Sequence, residues 1–513
     1  MPQSTLSLRR TVEGLPRPIS AEELTELLFR CSKAEVARCD GDSLVVEATP
    51  DRLDLLTEAG LRHHLEGLLG SATGLPRWPR RTEPAAGLEI QVDPSVDPLR
   101  PYLGAVLLHA PEREPLSEGL LMEAIRFQEL LHATLGLDRA SASLGLYPAD
   151  RIRPPVTYAV QPVRGRSFSP FDGAGPVPLE EFLLEHPLAQ RYGPLGRTGV
   201  GCLVLQDASG EILSLPPILN GAPAGRVTPG DRNLLVESTG RRAARVDELL
   251  GMLELPFLAR GWEAEPVRVR YPDRIDRGTE RVAPRRMSLE SELVRRIGGV
   301  ALAPVEVVTE LERARLGARP QGARLEVEVP PWRPDLQGAV DLVEEVLLAR
   351  GLRPEEGRLP PSSTRGRRLR SGALRGKVAS ELLGQGFVPL LSPVLVPERL
   401  VTWTGREPVA IENPVSQEYS RLRDCLLLPL LLALESNVRE GYPQRMSEVG
   451  PVVVADPSAE AGARTIEHAA LLLAGEGAGF ADGASLVEYL LRRASVTGVR
   501  ESATLPGTIR GRA

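Results

Sequence analysis

The sequence predicts a multidomain α+β protein, and three observations carry that prediction. The chain has 513 residues, too many for one core, and about 150 residues per domain suggests three to four units. Glycine and proline number 49 and 47, about one residue in five against a usual share of about 12%, which favours turns and short strands. Strand-like runs alternate with amphipathic helical stretches along the whole length, the pattern of mixed α and β domains.

The first unit, residues 1–85, sets the helical EELTELLFR beside a short β run at Leu44, Val45, Val46 and Glu47. It ends in GLPRWPRRTEPAAG, whose prolines and arginines read as a linker. The second, residues 86–257, holds the helix GLLMEAIRFQELLHATLG and the strands GVGCLVLQD, EILSLPPIL and NLLVEST. The third, residues 268–357, opens on the strand VRVRYP, continues through the helix SLESELVRRIG and the strand ARLEVEVPPW, and closes with a second helix. A charged stretch, GLRPEEGRLPPSSTRGRRLRSG, leads to the last unit, residues 366–513. That unit contains the apolar DCLLLPLLLALESNV, read as a core helix that can also serve an interface, and the strand MSEVGPVVVA.

Composition narrows the function. Hydrophobic residues make up 42% and charged residues 25%, ordinary for a soluble protein. No apolar run approaches the roughly 18 residues of a membrane span, and MPQSTLSLRR lacks a signal-peptide core, so a cytoplasmic protein with no membrane partner is expected. The net charge of −6 gives no global basic field for nucleic acid. Lys33 and Lys377 are the only lysines, and Lys377 is followed by Val378, so the Gly-Lys-Ser/Thr of a Walker-type phosphate loop is absent. Cys31, Cys39, Cys202 and Cys425, with six histidines, show no metal-ligand spacing.

The most informative segment is PPWRPDLQGAVDLVEEVLLARG. Pro334 should end the preceding strand, Asp335 can cap the next helix, and Gly351 suits its C-terminus. At helical spacing Asp341, Glu344 and Glu345 share a face, and Asp335 can converge on it. Two readings fit. Carboxylates with retained waters can hold Mg²⁺; equally, a solvated acidic face suits a helix N-terminus, where the dipole favours negative charge.

This segment resembles the P-x-(Y/W)-R-x-D … D-L-x-E-E-V pattern of phenylalanyl-tRNA synthetase β subunits of the archaeal and eukaryotic type. The resemblance runs collinearly through the chain. VVEATPDRLDLLTEAGLRHHLEGLLG is similar to E-x-N-P-D-R-P-D-L-L-S-x-E-G-x-x-R-x-L-x-G, and FQELLHATLGLDRASASLGLYPAD to Q-E-K-L-H-x-T-x-G with A-I-G-x-x-D-x-D. ILSLPPILNG resembles L-S-M-P-P-I-I-N, and IENPVSQEYSRLRDCLLLPLLLALESNVREGYPQRMSEVGPVVV resembles N-P-x-S-x-E-Y-x-x-L-R-x-S-L-L-P-G-L-L followed by a strand.

The resemblance implies an editing-type α/β domain, a small DNA-binding-like module and a class II synthetase-like antiparallel sheet domain without catalysis. It implies Mg²⁺ at Asp335, Asp341, Glu344 and Glu345, shared with an α subunit that uses ATP, and an α₂β₂ tetramer acting on phenylalanine tRNA. For the editing domain it implies hydrolysis of mischarged tyrosine, with Ser214, Glu237 and Thr239 as catalytic-pocket residues and Leu205 and Asn220 as substrate contacts. The family's aspartate is Glu237 here, and Arg241 and Arg242 replace its Thr/Asp pair; a longer carboxylate beside two cations predicts slow editing. Met446 stands where the phosphate-binding arginine would precede Glu448, so the chain alone should not activate an amino acid. It stops at TIRGRA, short of strands the pattern continues into, which reads as a truncated product or an incomplete C-terminal sheet. A non-catalytic paralogue that binds tRNA or a synthetase-like partner is the competing reading.

Overall fold

Alternation of apolar residues in SLVVEA builds the middle strand of an N-terminal antiparallel sheet. The computed structural model describes residues 1–173, 175–199, 201–222, 224–272, 284–322, 324–351, 364–401 and 407–494, in two units that divide after residue 356. In the first, β1 (Gln3–Ser7) leads into the short helix α1 (Leu8–Val12), then α2 (Ala21–Cys31), β2 (Ala34–Asp40) and β3 (Ser43–Ala48). The strand order is β1-β3-β2. Leu44, Val46 and Ala48 bury their side chains with Leu24 and Leu28 of α2, whose first turn is capped by Ser20. The helix α3 (Glu58–Leu68) follows, capped by Thr57.

The stretch after α3, expected to be a linker, is packed. Trp78 lies 4.6 Å from Trp332 and 5.2 Å from His63, centroid to centroid. Arg80 pairs with Glu254 at 2.7 Å, and Arg81 with Glu263 and Glu265 at 2.8 and 3.0 Å. Proline and arginine density suggested a tether; the indole and the guanidinium groups dock it instead.

Next come β4 (Glu89–Val92), β5 (Tyr102–His109), α4 (Glu118–Ala133), β6 (Ala142–Pro148) and β7 (Val156–Pro162). A hairpin of β8 (Ser167–Phe168) and β9 (Val177–Pro178) precedes α5 (Leu179–Glu185) and α6 (Pro187–Tyr192). Strands β10 (Gly201–Gln206), β11 (Ile212–Leu215), β12 (Leu219–Asn220) and β13 (Asn233–Gly240) follow, then α7 (Ala243–Leu253), α8 (Leu255–Leu258), β14 (Glu263–Pro266) and β15 (Arg268–Arg270). They form a four-stranded antiparallel sheet, β14-β5-β13-β6, and a six-stranded sheet, β12-β11-β10-β7-β4-β15.

Strand alternation divides the four-stranded sheet's two faces. Leu144, Leu146, Leu234 and Val236 join a core with Phe127 of α4 and Leu249 of α7. Tyr147 and Leu235 join Tyr158, Leu203, Leu205 and Leu213 of the six-stranded sheet. The second core therefore lies between two sheets, and whatever shares a face with Leu235 points into it. VRVRYP belongs here as well: β15 pairs in parallel with β4, Arg268 opposite Glu89. The expected boundary at residue 268 is thus corrected, because the backbone bonds of that strand go to the preceding sheet.

The remainder of this unit is β16 (Arg285–Glu290), α9 (Ser291–Gly298), α10 (Pro304–Arg313), β17 (Gly317–Gln321), β18 (Arg324–Val329) and α11 (Ala339–Arg350), with sheet order β16-β18-β17. The start of SLESELVRRIG is strand, since Ser288 and Leu289 pair with Glu326 and Leu325. Leu289, Leu325, Val327, Val343 and Val346 fill the core. Gly351 ends α11 at φ 84°, a conformation that suits glycine. The cap at the other end is not Asp335. Gly338 occupies the N-cap, and Oδ2 of Asp341 accepts from the amides of Gln337 and Gly338, both at 2.7 Å.

The second unit contains α12 (Arg370–Gly384), β19 (Val388–Pro389), β20 (Leu395–Val396), α13 (Glu398–Val401), β21 (Arg421–Leu422), α14 (Leu427–Ser436), β22 (Gln444–Ala455), β23 (Ala463–Ala474) and α15 (Phe480–Arg493). Its main sheet is β19-β22-β23, with β22 and β23 antiparallel over their full lengths. Met446 packs with Leu430 of α14 and Leu472 of β23. The apolar run is half core: Leu428 and Leu430 are buried, whereas Leu431 and Leu434 are only partly covered. TIRGRA lies outside the described residues. Among those described, no helix is long and apolar enough to cross a membrane.

Candidate functional site

A cleft opens at the β6 edge of the four-stranded sheet, where the turn between β11 and β12 and the helix α4 come together. Leu121, Ile125, Phe171 and Ile218 give it apolar walls, and Tyr147, Ser214, Asn220 and Glu237 supply polar groups. That composition, mostly apolar with a few placed polar atoms, is typical of small-ligand sites.

Glu237 lies on β13 opposite Gly145 of β6, on the face shared with Leu235, and is 2% exposed. Its Oε1 accepts from the Tyr147 hydroxyl at 3.0 Å, while Oε2 is buried without a hydrogen-bond partner. The Tyr147 and Ser214 hydroxyls are 2.8 Å apart. Burial pushes the Glu237 carboxyl up to about 7 from 4.5, against the hydrogen bond from Tyr147 and the more distant Arg100 charge, both of which favour ionisation. Burial likewise raises the Tyr147 phenol well above its ordinary value. Asn220 donates to the Leu146 carbonyl at 2.9 Å, tying β12 to β6 across the cleft.

Two other sequence-derived residues stand back from the opening. Leu205, paired with Ser214 across β10 and β11, is fully buried in the core between the sheets and does not line the cleft. Thr239 is also fully buried and lies outside the lining; its hydroxyl meets Arg100 Nε and Ser143 Oγ, each at 3.3 Å. Among the described residues no ion pair joins Arg241 or Arg242 to Glu237, whose carboxyl is engaged by Tyr147 instead.

Residues that sequence reasoning missed build the rim. Leu137, Asp138 and Arg139 have φ of 52°, 50° and 66°, three successive left-handed residues without a glycine, a costly geometry that surrounding contacts must hold. Arg100, buried and lowered to about 10 by that burial, donates to the Arg139 carbonyl at 2.8 Å. Arg139 in turn donates to the carbonyls of Pro217 and Ile218, at 3.1 and 3.0 Å, and to Glu129 at 3.0 Å. His132 has both ring nitrogens engaged, by Glu129 and by the Leu144 amide. Period-two reading of SASLGLY against VEST would have placed Ser143, Gly145 and Tyr147 beside Glu237 and Thr239; for Arg100 and Arg139 the sequence carries no comparable signal.

The raised Glu237 pKa has a stability consequence. Between about pH 4.5 and 7 the folded state holds a proton that the unfolded chain releases. The contribution is therefore complete below pH 4.5 and disappears as pH rises through about 7. Relative to Glu237→Gln, which does not titrate, the wild type should lose up to roughly 3 kcal/mol over that window, read by urea unfolding at each pH. Parallel pH curves for the two proteins would show a solvated carboxyl.

The four acids expected to hold Mg²⁺ are not gathered at one point. Arg333, 2% exposed, donates to Asp335 Oδ1 and Oδ2 at 2.9 and 2.7 Å and to Glu345 Oε2 at 3.0 Å. Arg52 binds Asp54 at 2.8 Å and stands 3.7 Å from Glu345. Burial opposes ionisation of Glu345, but Arg333 and Arg52 hold its carboxyl down to about 2. His64 beside them is kept neutral, at about 3, by burial and then by Arg52. Asp341 serves the helix N-terminus, and Glu344, its side chain 51% exposed, pairs with Lys33 at 2.7 Å. Among the described residues no group of three or more His, Cys, Asp or Glu is placed to hold a metal. The helix-face argument failed because Glu345 turns into the interior with Leu342 and Val346 while Glu344 turns out. The four carboxylates do not fit a Mg²⁺ site in this arrangement.

In the second unit Glu448 is buried, paired with Arg423 at 2.6 Å and bonded to the Ser392 hydroxyl. The strand presents Met446 to the core rather than a cation to a phosphate.

Comparison with known proteins fits this geometry. Residues 287–352 match the tRNA synthetase B5 domain model, and residues 356–513 match the model for the phenylalanyl tRNA synthetase beta chain CLM domain. These place the chain among tRNA synthetase proteins. The phenylalanine–tRNA ligase beta subunit of Korarchaeum cryptofilum is 31% identical over 494 residues, covering 95% of this chain and 87% of that protein. That of Aeropyrum pernix is 32% identical over 506 residues, covering 96% and 88%. The crystal structure of an N-terminal fragment of the Pyrococcus horikoshii phenylalanyl-tRNA synthetase beta subunit superposes with a TM-score of 0.63 at 26% identity, over 68% of this chain and 99% of the fragment. The chain belongs to the phenylalanine–tRNA ligase β-subunit family, as the collinear motifs led us to expect.

Proposed function

We propose that this chain is the non-activating subunit of a phenylalanine–tRNA ligase, assembling with an α subunit that uses ATP, and that its cleft clears tyrosine mischarged onto phenylalanine tRNA. The observation that carries the second part is Glu237: a buried carboxyl with one unpartnered oxygen, lining a cleft with apolar walls at Leu121, Ile125, Phe171 and Ile218. An apolar synthetic pocket rejects an added hydroxyl only weakly, by about 10²-fold, so a second site that reads that hydroxyl is useful. Apolar walls at Ile125 and Ile218 suit an aromatic ring, and Glu237 at the inner end suits its phenolic group.

No side chain lining the cleft is arranged as a nucleophile. Ser214 is engaged with Tyr147, and His132 has no free nitrogen. Water is therefore the attacking group: its oxygen bonds to the ester carbon, the bond to the ribose oxygen breaks, and that oxygen takes up the proton. The chain's part is to bind, orient and select. On this reading residues 86–271 are the editing domain, residues 284–351 a small connecting module, and the second unit a class II-like sheet without activation chemistry. Magnesium at Asp335, Asp341, Glu344 and Glu345 forms no step of it, since guanidinium groups hold two of those carboxylates.

Two assays test the proposal. ATP–pyrophosphate exchange with phenylalanine should stay at background for this chain alone and appear when the α subunit is added; exchange without α removes the first part. The assembled complex should deacylate tyrosyl-tRNA faster than phenylalanyl-tRNA, and equal rates remove the second.

A further inference from the structure

The inner end of the cleft is built around one hydroxyl. Tyr147 stands opposite Leu235 on the β6–β13 pair, two residues from the Gly145–Glu237 pair. Its phenol lies back along the strand over Gly145 and meets Glu237 there. A Cβ at Gly145 would collide with the Tyr147 hydroxyl and lie 2.7 Å from Glu237 Oε1. From the other sheet Ser214 reaches the same hydroxyl at 2.8 Å. Three strands, β6, β11 and β13, thus converge on one oxygen, in a space that only a glycine at 145 leaves open.

We propose that Tyr147 sets the specificity of the cleft, its hydroxyl fixing Oε1 of Glu237 so that Oε2 is directed to the phenolic hydroxyl of a tyrosyl ester; this rests on the editing reading above. A carboxyl turns about its last torsion in a broad, two-fold manner, so an unanchored Glu237 would offer either oxygen in many orientations. With Oε1 held, the plane of the carboxyl is defined, and Oε2 is the buried atom still lacking a partner. A tyrosyl ligand satisfies it, whereas a phenylalanyl ligand covers it and leaves it unmet, a penalised arrangement. Tyr147 is a positioning residue here: it acts through Glu237 and need not touch the ligand. Ser214 Oγ, 2.8 Å from the phenolic oxygen, helps to hold that hydroxyl in place.

The test measures deacylation of tyrosyl- and phenylalanyl-tRNA by the full α–β complex carrying wild type, Tyr147→Phe, Gly145→Ala or both. Tyr147→Phe keeps the ring and removes the hydroxyl; Gly145→Ala keeps the hydroxyl and displaces it. Each should lower the tyrosyl-over-phenylalanyl ratio about tenfold, carried by KM more than by kcat. The double variant should lose no more of the ratio than the worse single, since both changes act on the one contact between Tyr147 and Glu237. If the wild type prefers tyrosyl-tRNA and Tyr147→Phe keeps that preference, the role of Tyr147 is overturned while the editing reading stands. If the wild type shows no preference, both fall. A fall in kcat alone, equal for both esters, also overturns the role, because it marks general loss of structure.

Discussion

Arg333→Ala is expected to destabilise the folded chain by about 3–5 kcal/mol, the cost of leaving buried charges unpaired. The side chain joins Asp335 and Glu345, both nearly inaccessible, with Arg52 and Asp54 alongside. Without it two carboxylates are left facing each other in a dry interior with Arg52 as the nearest cation. Because Arg52 and Asp54 come from the segment after β3 and the others from the β18–α11 segment, the loss also loosens the docking of the N-terminal sheet on the module. Urea unfolding of wild type and variant reads the difference. Adding Asp335→Asn and Glu345→Gln to Arg333→Ala should recover part of it, since neutral amides do not require a cation. Magnesium should raise the melting temperature of Arg333→Ala more than that of the wild type, whose two buried carboxylates are already satisfied. A loss below about 1 kcal/mol would show that water reaches the acids.

The same residues show how far the sequence could be read. The order of motifs was enough for the family, and in residues 1–85 EELTELLFR falls on α2 and the run at residues 44–47 on β3, because periodicity is local. VRVRYP was misplaced by one domain because strand pairing is not local: nothing in those letters says that Arg268 finds Glu89. The acids of DLVEE were legible as a helix N-terminus with charge, but Glu344 and Glu345 are neighbours separated by about 100° around the helix, and the small shift that buries one exposes the other. The fate of Glu345 depended on Arg333 and Arg52 and that of Glu344 on Lys33, cations from outside the helix. Glu237 does line the cleft, yet its length was read against an aspartate rather than against Tyr147, ninety residues away and unremarkable in isolation.

The preference of the assembled complex for tyrosyl- over phenylalanyl-tRNA is expected to climb as pH rises from about 5 to 7 and to level off above. In the free cleft Glu237 is half protonated near pH 7. Its ionised form accepts from Tyr147 through Oε1 and can accept from the ligand's phenol through Oε2, a hydrogen bond to a charge, which typically contributes about 1.5–3 kcal/mol. A tyrosyl ligand that donates this bond lowers the carboxyl's pKa on binding. By linkage its affinity then grows with pH until the free group is fully ionised, while phenylalanyl-tRNA, with nothing to donate, gains nothing. The resulting discrimination is about 10- to 150-fold at pH 8. Glu237→Gln should give a lower preference that does not change between pH 5 and 8, and Glu237→Asp, too short to reach Tyr147, should fall toward the same level instead of improving on the wild type. A preference that declines with pH would mean that the protonated carboxyl donates to the ligand, and an Asp variant that surpasses the wild type would mean that Tyr147 holds Glu237 away from it.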